Sequence, residues 1–281
     1  MSKKKELTMI NMPEVGLGTT VFWNRNEDAE EAMGRAVNEG LVSLIDTAEM
    51  YGTGRSEEAL GRVLSRCRRE DIYLVDKILP DNATKEGFGR SLKRSLMRLG
   101  TDYIDLYLLH WREKADLAFV ADAMNDAVKD GLILHWGVSN FDVSDMEDLF
   151  AVEHGSDCCV DQVLYNICHR GIEYDLLPWL KEHDVRPMSY STLGSASTGD
   201  MKRCECNEHI RRIGEEMGLS PAAIMLAFDL RTHDLTALFS SSTYQHIVSD
   251  LKGLYADLDP YMAELDKSFP APCRKVPLEK I

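Results

Sequence analysis

Apolar runs of strand length alternate with amphipathic stretches of helical length from near residue 15 to near residue 251. The runs are 15–20 (VGLGTT), 41–47 (LVSLIDT), 71–77 (DIYLVDK), 103–110 (YIDLYLLH), 132–139 (LILHWGVS), 158–165 (CCVDQVLY), 185–191 (VRPMSYS) and 235–241 (LTALFSS). Helical periodicity fills the gaps near 26–39, 55–68, 84–99, 116–130, 142–154, 172–183, 205–217 and 243–252. Strands separated by helices cannot pair as hairpins, so the alternation predicts parallel strands with helices outside them. Eight of each is the count of a closed (β/α)8 TIM barrel, an α/β fold that forms one domain at this length. The barrel core is expected over about 15–252, with the segment 253–281 folding over it.

The ends of the helical stretches carry their own signals. Asn26 precedes an acidic first turn, Asp142 or Ser144 precedes an acidic-apolar pattern, and Ser220-Pro221 puts proline at a first helical position. Gly40, Gly100, Gly131 and Gly218 fall just past periodic segments, where a left-handed residue ends a helix. From Leu258 the tail reads as a short helix followed by proline-rich coil.

In a barrel of this kind, chemistry gathers at the carboxyl ends of the strands. Those positions are polar in all eight runs: Gly18-Thr19, Asp46, Lys77, His110, Ser139-Asn140, Gln162, Tyr190, and Ser240 through Ser241 and Ser242 to Thr243. Asp46, Lys77 and His110, with Tyr51 just beyond Asp46, form a set suited to protonating a carbonyl. A phenol titrates near pH 10, so a neighbouring ammonium that stabilises its phenolate makes it a better acid. Lys77 is expected to lower the pKa of Tyr51, Asp46 to keep Lys77 charged, and His110 to donate to the carbonyl oxygen or orient it. Taken singly, each also reads as a structural residue; the shared rim is what favours catalysis.

Charge and cysteine content narrow the rest. The 281 residues hold 32 Lys and Arg against 47 Asp and Glu, a net charge of -15, which opposes nucleic acid and anionic membranes as partners. The start, MSKKKELTMIN, lacks the apolar stretch of a secretory signal, and no run approaches the length of a membrane span, so the cytoplasm is the expected location. Seven cysteines in no framework spacing are expected to be reduced. Cys204-Glu-Cys206 with His209 offers zinc-type ligands, but one cluster without a second pair reads as a surface segment leading into a helix, and no metal is expected.

Over nearly its whole length the chain resembles the aldo-keto reductases, through GLGT (16–19), IDTAEMYG (45–52), DYIDLYLLHW (102–111), GVSNF (137–141), DQVLYN (161–166) and SYSTL (189–193). RGIEYDLLPWL and LDKSFPAP resemble bacterial members that reduce methylglyoxal or other small dicarbonyls. The resemblance implies a TIM barrel that binds an extended nicotinamide cofactor, with Asp46, Tyr51, Lys77 and His110 as its catalytic tetrad. No G-x-G-x-x-G fingerprint follows an early strand. It further implies that Ser139, Asn140 and Gln162 hydrogen-bond the nicotinamide carboxamide, that the ring stacks on Tyr190, and that Trp23 and Trp111 wall the substrate pocket. Gly18, Thr19, Ser191, Leu193, Ser240, Ser241, Ser242, Thr243, His246 and Asp250 are the remaining cofactor positions it implies.

The sequence departs from the family at the cofactor's far end. Many members have proline and lysine after the eighth strand, then a basic residue in the next helix; here Phe239, Ser240 and His246 take those places. Hydroxyls and a mostly neutral histidine hold a ribose 2′-phosphate less strongly than a cation does. NADP(H) remains the expected cofactor, with NAD(H) the alternative. The expected activity is reduction of small aldehydes or ketones by a monomer; the rival is a low-turnover cofactor-binding regulatory protein on the same fold.

Overall fold

Eight parallel strands close into a ring in strict chain order: β1 (Val15–Gly18), β2 (Leu44–Asp46), β3 (Tyr73–Ile78), β4 (Ile104–Leu109), β5 (Ile133–Ser139), β6 (Val160–Leu164), β7 (Arg186–Tyr190) and β8 (Thr236–Phe239), which returns to β1. This computed structural model describes residues 11–24, 26–194, 198–232 and 234–279. The register sets Gly18 opposite Asp46, Ser139 opposite Gln162 and Leu17 opposite Phe239.

Side-chain alternation explains why the rim is polar and the interior is not. Leu44, Val75, Leu106, Leu108, Val160, Met188 and Leu238 pack with Met12 as one buried cluster inside the ring. Two residues beyond Leu44, Val75, Leu108, Val160, Met188 and Leu238 stand Asp46, Lys77, His110, Gln162, Tyr190 and Ser240. Period two therefore turns all six toward the barrel axis, one layer above the apolar plug. At Gly16 an added Cβ would lie 2.2 Å from Leu44 Cδ2 and 2.8 Å from Leu238 Cδ2, so neighbouring leucines fill the interior that β1 leaves open.

A second, larger core lies between the ring and the helices around it. These are α1 (Glu27–Asn38), α2 (Arg55–Leu64), α3 (Phe88–Leu99), α4 (Leu117–Lys129), α5 (Val143–Phe150), α6 (Leu176–Glu182), α7 (Asp200–Cys206), α8 (Glu208–Met217), α9 (Pro221–Leu230) and α10 (Tyr244–Asp250). In α3 the buried residues Phe88, Ser91, Leu92, Ser95 and Leu99 recur at helical spacing. Asn26 caps α1 by accepting from Ala29 N at 3.1 Å, a contact of the kind worth about 1 kcal/mol. Asp142 forms a capping box with Asp145 at the start of α5, and Gly100 and Gly218 end α3 and α8 in left-handed conformation.

Two helices between β7 and β8 have no counterpart among the periodic segments. Between β7 and β8 the sequence predicts a single helix, 205–217, whereas the chain forms α7, α8 and α9. Residues 223–229 of α9 are all buried, so the helix has no polar face and no amphipathic period to read. Its cap was visible: Ser220 Oγ accepts from Ala223 N at 3.0 Å, with Pro221 at the first position.

After α10 the tail forms α11 (Met262–Ser268), which buries Leu265. Arg170, ahead of α6, grips it by donating to Asp266 Oδ1 at 2.6 Å and to the Phe269 carbonyl at 2.5 Å. No helix among the described residues is long and apolar enough to cross a membrane.

Candidate active site

Lys77, fully buried at the carboxyl end of β3, donates all three of its protons within the protein. Its Nζ lies 2.8 and 2.7 Å from the two Asp46 carboxylate oxygens and 2.8 Å from the Thr47 carbonyl. Burial by itself disfavours the ammonium, but Asp46 and, less strongly, Tyr51 reverse that, and the Lys77 pKa ends above its ordinary value. The amine is therefore a fixed positive charge, 5.1 Å from the centroid of the Tyr51 ring.

Tyr51 starts a tight turn just beyond β2, which brings its ring back over the rim. It is flanked by Trp23, stacked with centroids 6.4 Å apart, and by His110, edge-on at 5.9 Å. The phenol differs from its expected titration. Burial raises its pKa more than Lys77 lowers it, so the net shift is upward, to a hydroxyl that stays protonated through the neutral range. Lys77 moderates that rise and does not produce the lowered value the sequence suggested.

His110 ends the β4 run, buried beside Trp111 with ring centroids 4.7 Å apart. Burial and then the nearby Lys77 charge push its pKa down to about 2, so the imidazole is neutral. Among the described residues its buried Nδ1 has no hydrogen-bond partner.

All four groups except Lys77, which stands behind them, line a cleft of about 1090 Å³. Trp23, Trp111, Gly18, Ser139, Asn140, Gln162, Tyr190, Ser191, Leu193 and Ser240 share its wall. The amide residues are tied to one another and to the tetrad. Ser139 Oγ donates to the Gln162 carbonyl at 2.7 Å, and Asn140 Nδ2 donates to the His110 carbonyl and to Ser139 Oγ, both at 3.1 Å. Tyr190 OH donates to Asn140 Oδ1 at 2.8 Å, and Gln162 Nε2 donates to Asp46 Oδ1 at 2.8 Å.

The remaining cofactor positions lie off the cleft wall. Thr19 is buried, donating to Thr47 Oγ1 at 2.8 Å. Ser240 is the last of the serine run to reach the cleft, and its hydroxyl donates to the Gly18 carbonyl at 3.1 Å. Ser241 donates to the Thr243 carbonyl at 3.2 Å, Ser242 is exposed, and Thr243 caps α10 by accepting from His246 N at 3.4 Å. His246 is exposed, while Asp250 is buried and its pKa is raised to about 6 by that burial, against the opposing pull of His246 and a bond from Ser220.

Several residues in and behind the cleft had no role assigned in the sequence reading. Thr47 acts through its carbonyl, and Thr20, Met50, Glu113, Gly194 and Leu238 complete the wall with Phe239. Position alone marks them: each adjoins a strand end or its following loop. The cysteine cluster is also placed differently from expectation. Cys204 is fully buried in α7, not on the surface, while Cys206 is exposed and His209 Nδ1 meets Glu264 at 2.7 Å. Among the described residues, no group of three or more His, Cys, Asp or Glu side chains is arranged to hold a metal.

Comparison with known proteins agrees with this geometry. The aldo/keto reductase family model matches residues 14–267. The chain is 37% identical to the methylglyoxal reductase YeaE of Escherichia coli over 281 aligned positions, covering 97% of this chain and 96% of that protein. Two crystal structures of a Klebsiella pneumoniae aldo-keto reductase superpose closely at 35% identity. The complex with NADPH has a TM-score of 0.90 and covers 96% of this chain and 95% of that one. The complex with NADP and acetate has a TM-score of 0.89 and covers 96% of each. The family match takes in every strand of the ring and all four catalytic candidates, and the chain belongs to the aldo/keto reductase family, enzymes that reduce carbonyl groups.

Proposed function

We propose that this protein reduces small aldehydes and dicarbonyls of the methylglyoxal type with NADP(H), using Tyr51 as the general acid. The observation that carries the reading is the fully bonded Lys77 ammonium 5.1 Å from the ring of a protonated phenol on the cleft wall. The relatives that support the substrate and cofactor are the methylglyoxal reductase of E. coli and the Klebsiella enzyme crystallised with NADP and NADPH.

The residues present fit a nicotinamide cofactor. A cleft of about 1090 Å³ exceeds most small-ligand sites, and its floor combines two amide side chains with a flat Tyr190 ring. Ser139, Asn140 and Gln162 would hold the carboxamide, which needs both donors and acceptors, and Tyr190 would support the ring face. When bound, the reduced cofactor supplies a hydride to the carbonyl carbon. Tyr51 gives its proton to the carbonyl oxygen as negative charge develops there, and Lys77 stabilises the phenolate left behind. Asp46 keeps Lys77 charged and aimed, and Gln162 holds Asp46 from across the barrel. Neutral His110 offers the same oxygen a hydrogen bond without adding a charge. Trp23 and Trp111 exclude water from the reacting end.

We further place the enzyme in the cytosol as a monomer; seven unbonded cysteines suit a reducing compartment. Steady-state reduction of methylglyoxal and of an aromatic aldehyde by the wild type and by Tyr51→Phe tests the reading. Loss of about 10²–10⁴-fold in kcat with cofactor binding kept is expected. Unchanged turnover would remove Tyr51 as the acid, and failure of the wild type to reduce either aldehyde while binding NADPH would favour a regulatory role. Rates with NADPH are expected to exceed those with NADH.

A further inference from the structure

Cys168 and Cys204 lie 36 residues apart in sequence, yet their sulfurs stand 3.8 Å from each other. Cys168 sits half-buried in the turn after β6, and Cys204 is fully buried in α7. A disulfide bond is about 2.05 Å long, so each sulfur needs to move by less than about 1 Å to close one. We propose that these two thiols form a modification site that takes a hydroperoxide as its oxidant and closes to a disulfide.

The chemistry divides between them. The two thiols share one contact in which either sulfur can donate, and it holds the Cys168 pKa down while pushing that of Cys204 up. The half-buried Cys168 is the sulfur a peroxide can reach and so attacks first, and the buried Cys204 is the resolving thiol. Cys168 sulfur attacks one peroxide oxygen and breaks the O–O bond; the leaving oxygen takes the Cys168 proton and departs as water or an alcohol. Cys204 sulfur then attacks the resulting sulfenic acid, and the departing hydroxide takes the Cys204 proton as a second water. Two thiols are oxidised by two electrons and one peroxide is reduced.

The bond would join two supports of the cleft wall. On one side, Cys168 N donates to Asn166 Oδ1 at 2.8 Å, and Asn166 Nδ2 donates to the carbonyl of Ser191 at 2.8 Å. On the other, Asp200 of α7 packs so closely that a Cβ on Gly194 would lie 2.5 Å from its own Cβ. Asp200 Oδ2 also lies 3.2 Å from Nε2 of His169, the neighbour of Cys168. Ser191 and Gly194 both line the cleft. Oxidation therefore ties the turn to the helix across the wall segment between them and slows exchange of the cofactor, a consequence that rests on the cofactor reading above.

The full-length protein treated with stoichiometric hydrogen peroxide tests this by peptide mass mapping without reductant, followed by stopped-flow release of NADPH. A Cys168–Cys204 linked peptide lacking two hydrogens is expected, reversed by thiol reductant and still formed in a Cys206→Ser, Cys273→Ser double variant. Release of NADPH is expected to slow by about threefold or more on oxidation and to be insensitive to peroxide in Cys168→Ser. Cys204→Ala serves as a second variant on the other side of the pair. Sulfinic acid on Cys168 with Cys204 still a thiol, or linkage through Cys206, overturns the site. Release unchanged by a bond that forms overturns the clamp. A bond that forms in a protein unable to bind NADPH in either state leaves the thiol pair standing and removes the cofactor reading.

Discussion

Replacing Asp46 with Asn isolates the interaction on which the rim depends. Lys77 Nζ is fully buried and bonded to both Asp46 oxygens, at 2.8 and 2.7 Å, with the Thr47 carbonyl as its third acceptor. Asn supplies one acceptor instead of two and no charge, leaving a buried ammonium uncompensated. Breaking a buried pair in this way costs about 3–5 kcal/mol. The direction of the Lys77 shift should also reverse. In the wild type its pKa lies above the ordinary 10.5, so the stabilisation is complete below that value and is lost as pH rises through the folded value. In Asp46→Asn, burial acts without the carboxylate and pulls the Lys77 pKa below 10.5. The unfolded chain then binds the extra proton, so the variant gains about 1.4 kcal/mol per pH unit as pH rises between its new folded pKa and 10.5. Urea midpoints measured from about pH 7 to pH 10 for both proteins give the two curves. Parallel curves, or a variant within about 1 kcal/mol of wild type at neutral pH, would refute the claim that Asp46 holds Lys77 charged.

Because burial holds the Tyr51 phenol protonated, carbonyl reduction should stay level through neutral pH and fall only in the alkaline range; a pH–kcat profile that falls below about pH 8 contradicts this. His110, pushed down to about 2, should contribute no ionisation near its ordinary 6.5, and NMR titration of the ring checks it. Asp250, with its pKa raised to about 6, destabilises the fold progressively as pH rises from the ordinary 3.8 to about 6, so Asp250→Asn should be more stable than wild type at pH 7 by about 1–2 kcal/mol and lose the advantage below about pH 4. Glu113 and Asp46 are the acidic residues on the cleft wall, and Asp46 is paired with Lys77. Glu113→Lys should therefore raise kcat/KM for a carboxylate-bearing aldehyde about three- to tenfold relative to a neutral one, an effect that added salt shrinks.

What the sequence made legible follows from which residues obey a period. Asp46, Lys77 and His110 could be placed on one rim because strand alternation and parallel order fix their direction without any knowledge of loops. Tyr51 lies five residues past Asp46, in a turn whose path depends on left-handed Gly52 and Thr53, at φ 60° and 58°. Its place just beyond Asp46 suggested the role, but not the path that brings its ring back over the rim. Thr47 and the bond from Gln162 to Asp46 were hidden, the first because a carbonyl has no residue signature and the second because it spans 116 positions. At the far end, where the family resemblance placed Ser241, Ser242 and Thr243 beside the cofactor, Ser241 and Thr243 use their hydroxyls in local turn and cap bonds that the sequence did not reveal. Helix α9 was lost for the opposite reason, since complete burial erases the polar stripe.

Closure of the ring between β1 and β8 has a consequence for synthesis. The pairing of Val15–Gly18 with Thr236–Phe239 joins segments that leave the ribosome at opposite ends of translation. Until residue 239 has emerged, Leu17 lacks its partner Phe239 and the rim stays an open arc. A nascent chain stalled before β8 should carry Asp46, Tyr51, Lys77 and His110 and still lack an enclosed pocket, so carbonyl reduction can begin only after most of the polypeptide has been made.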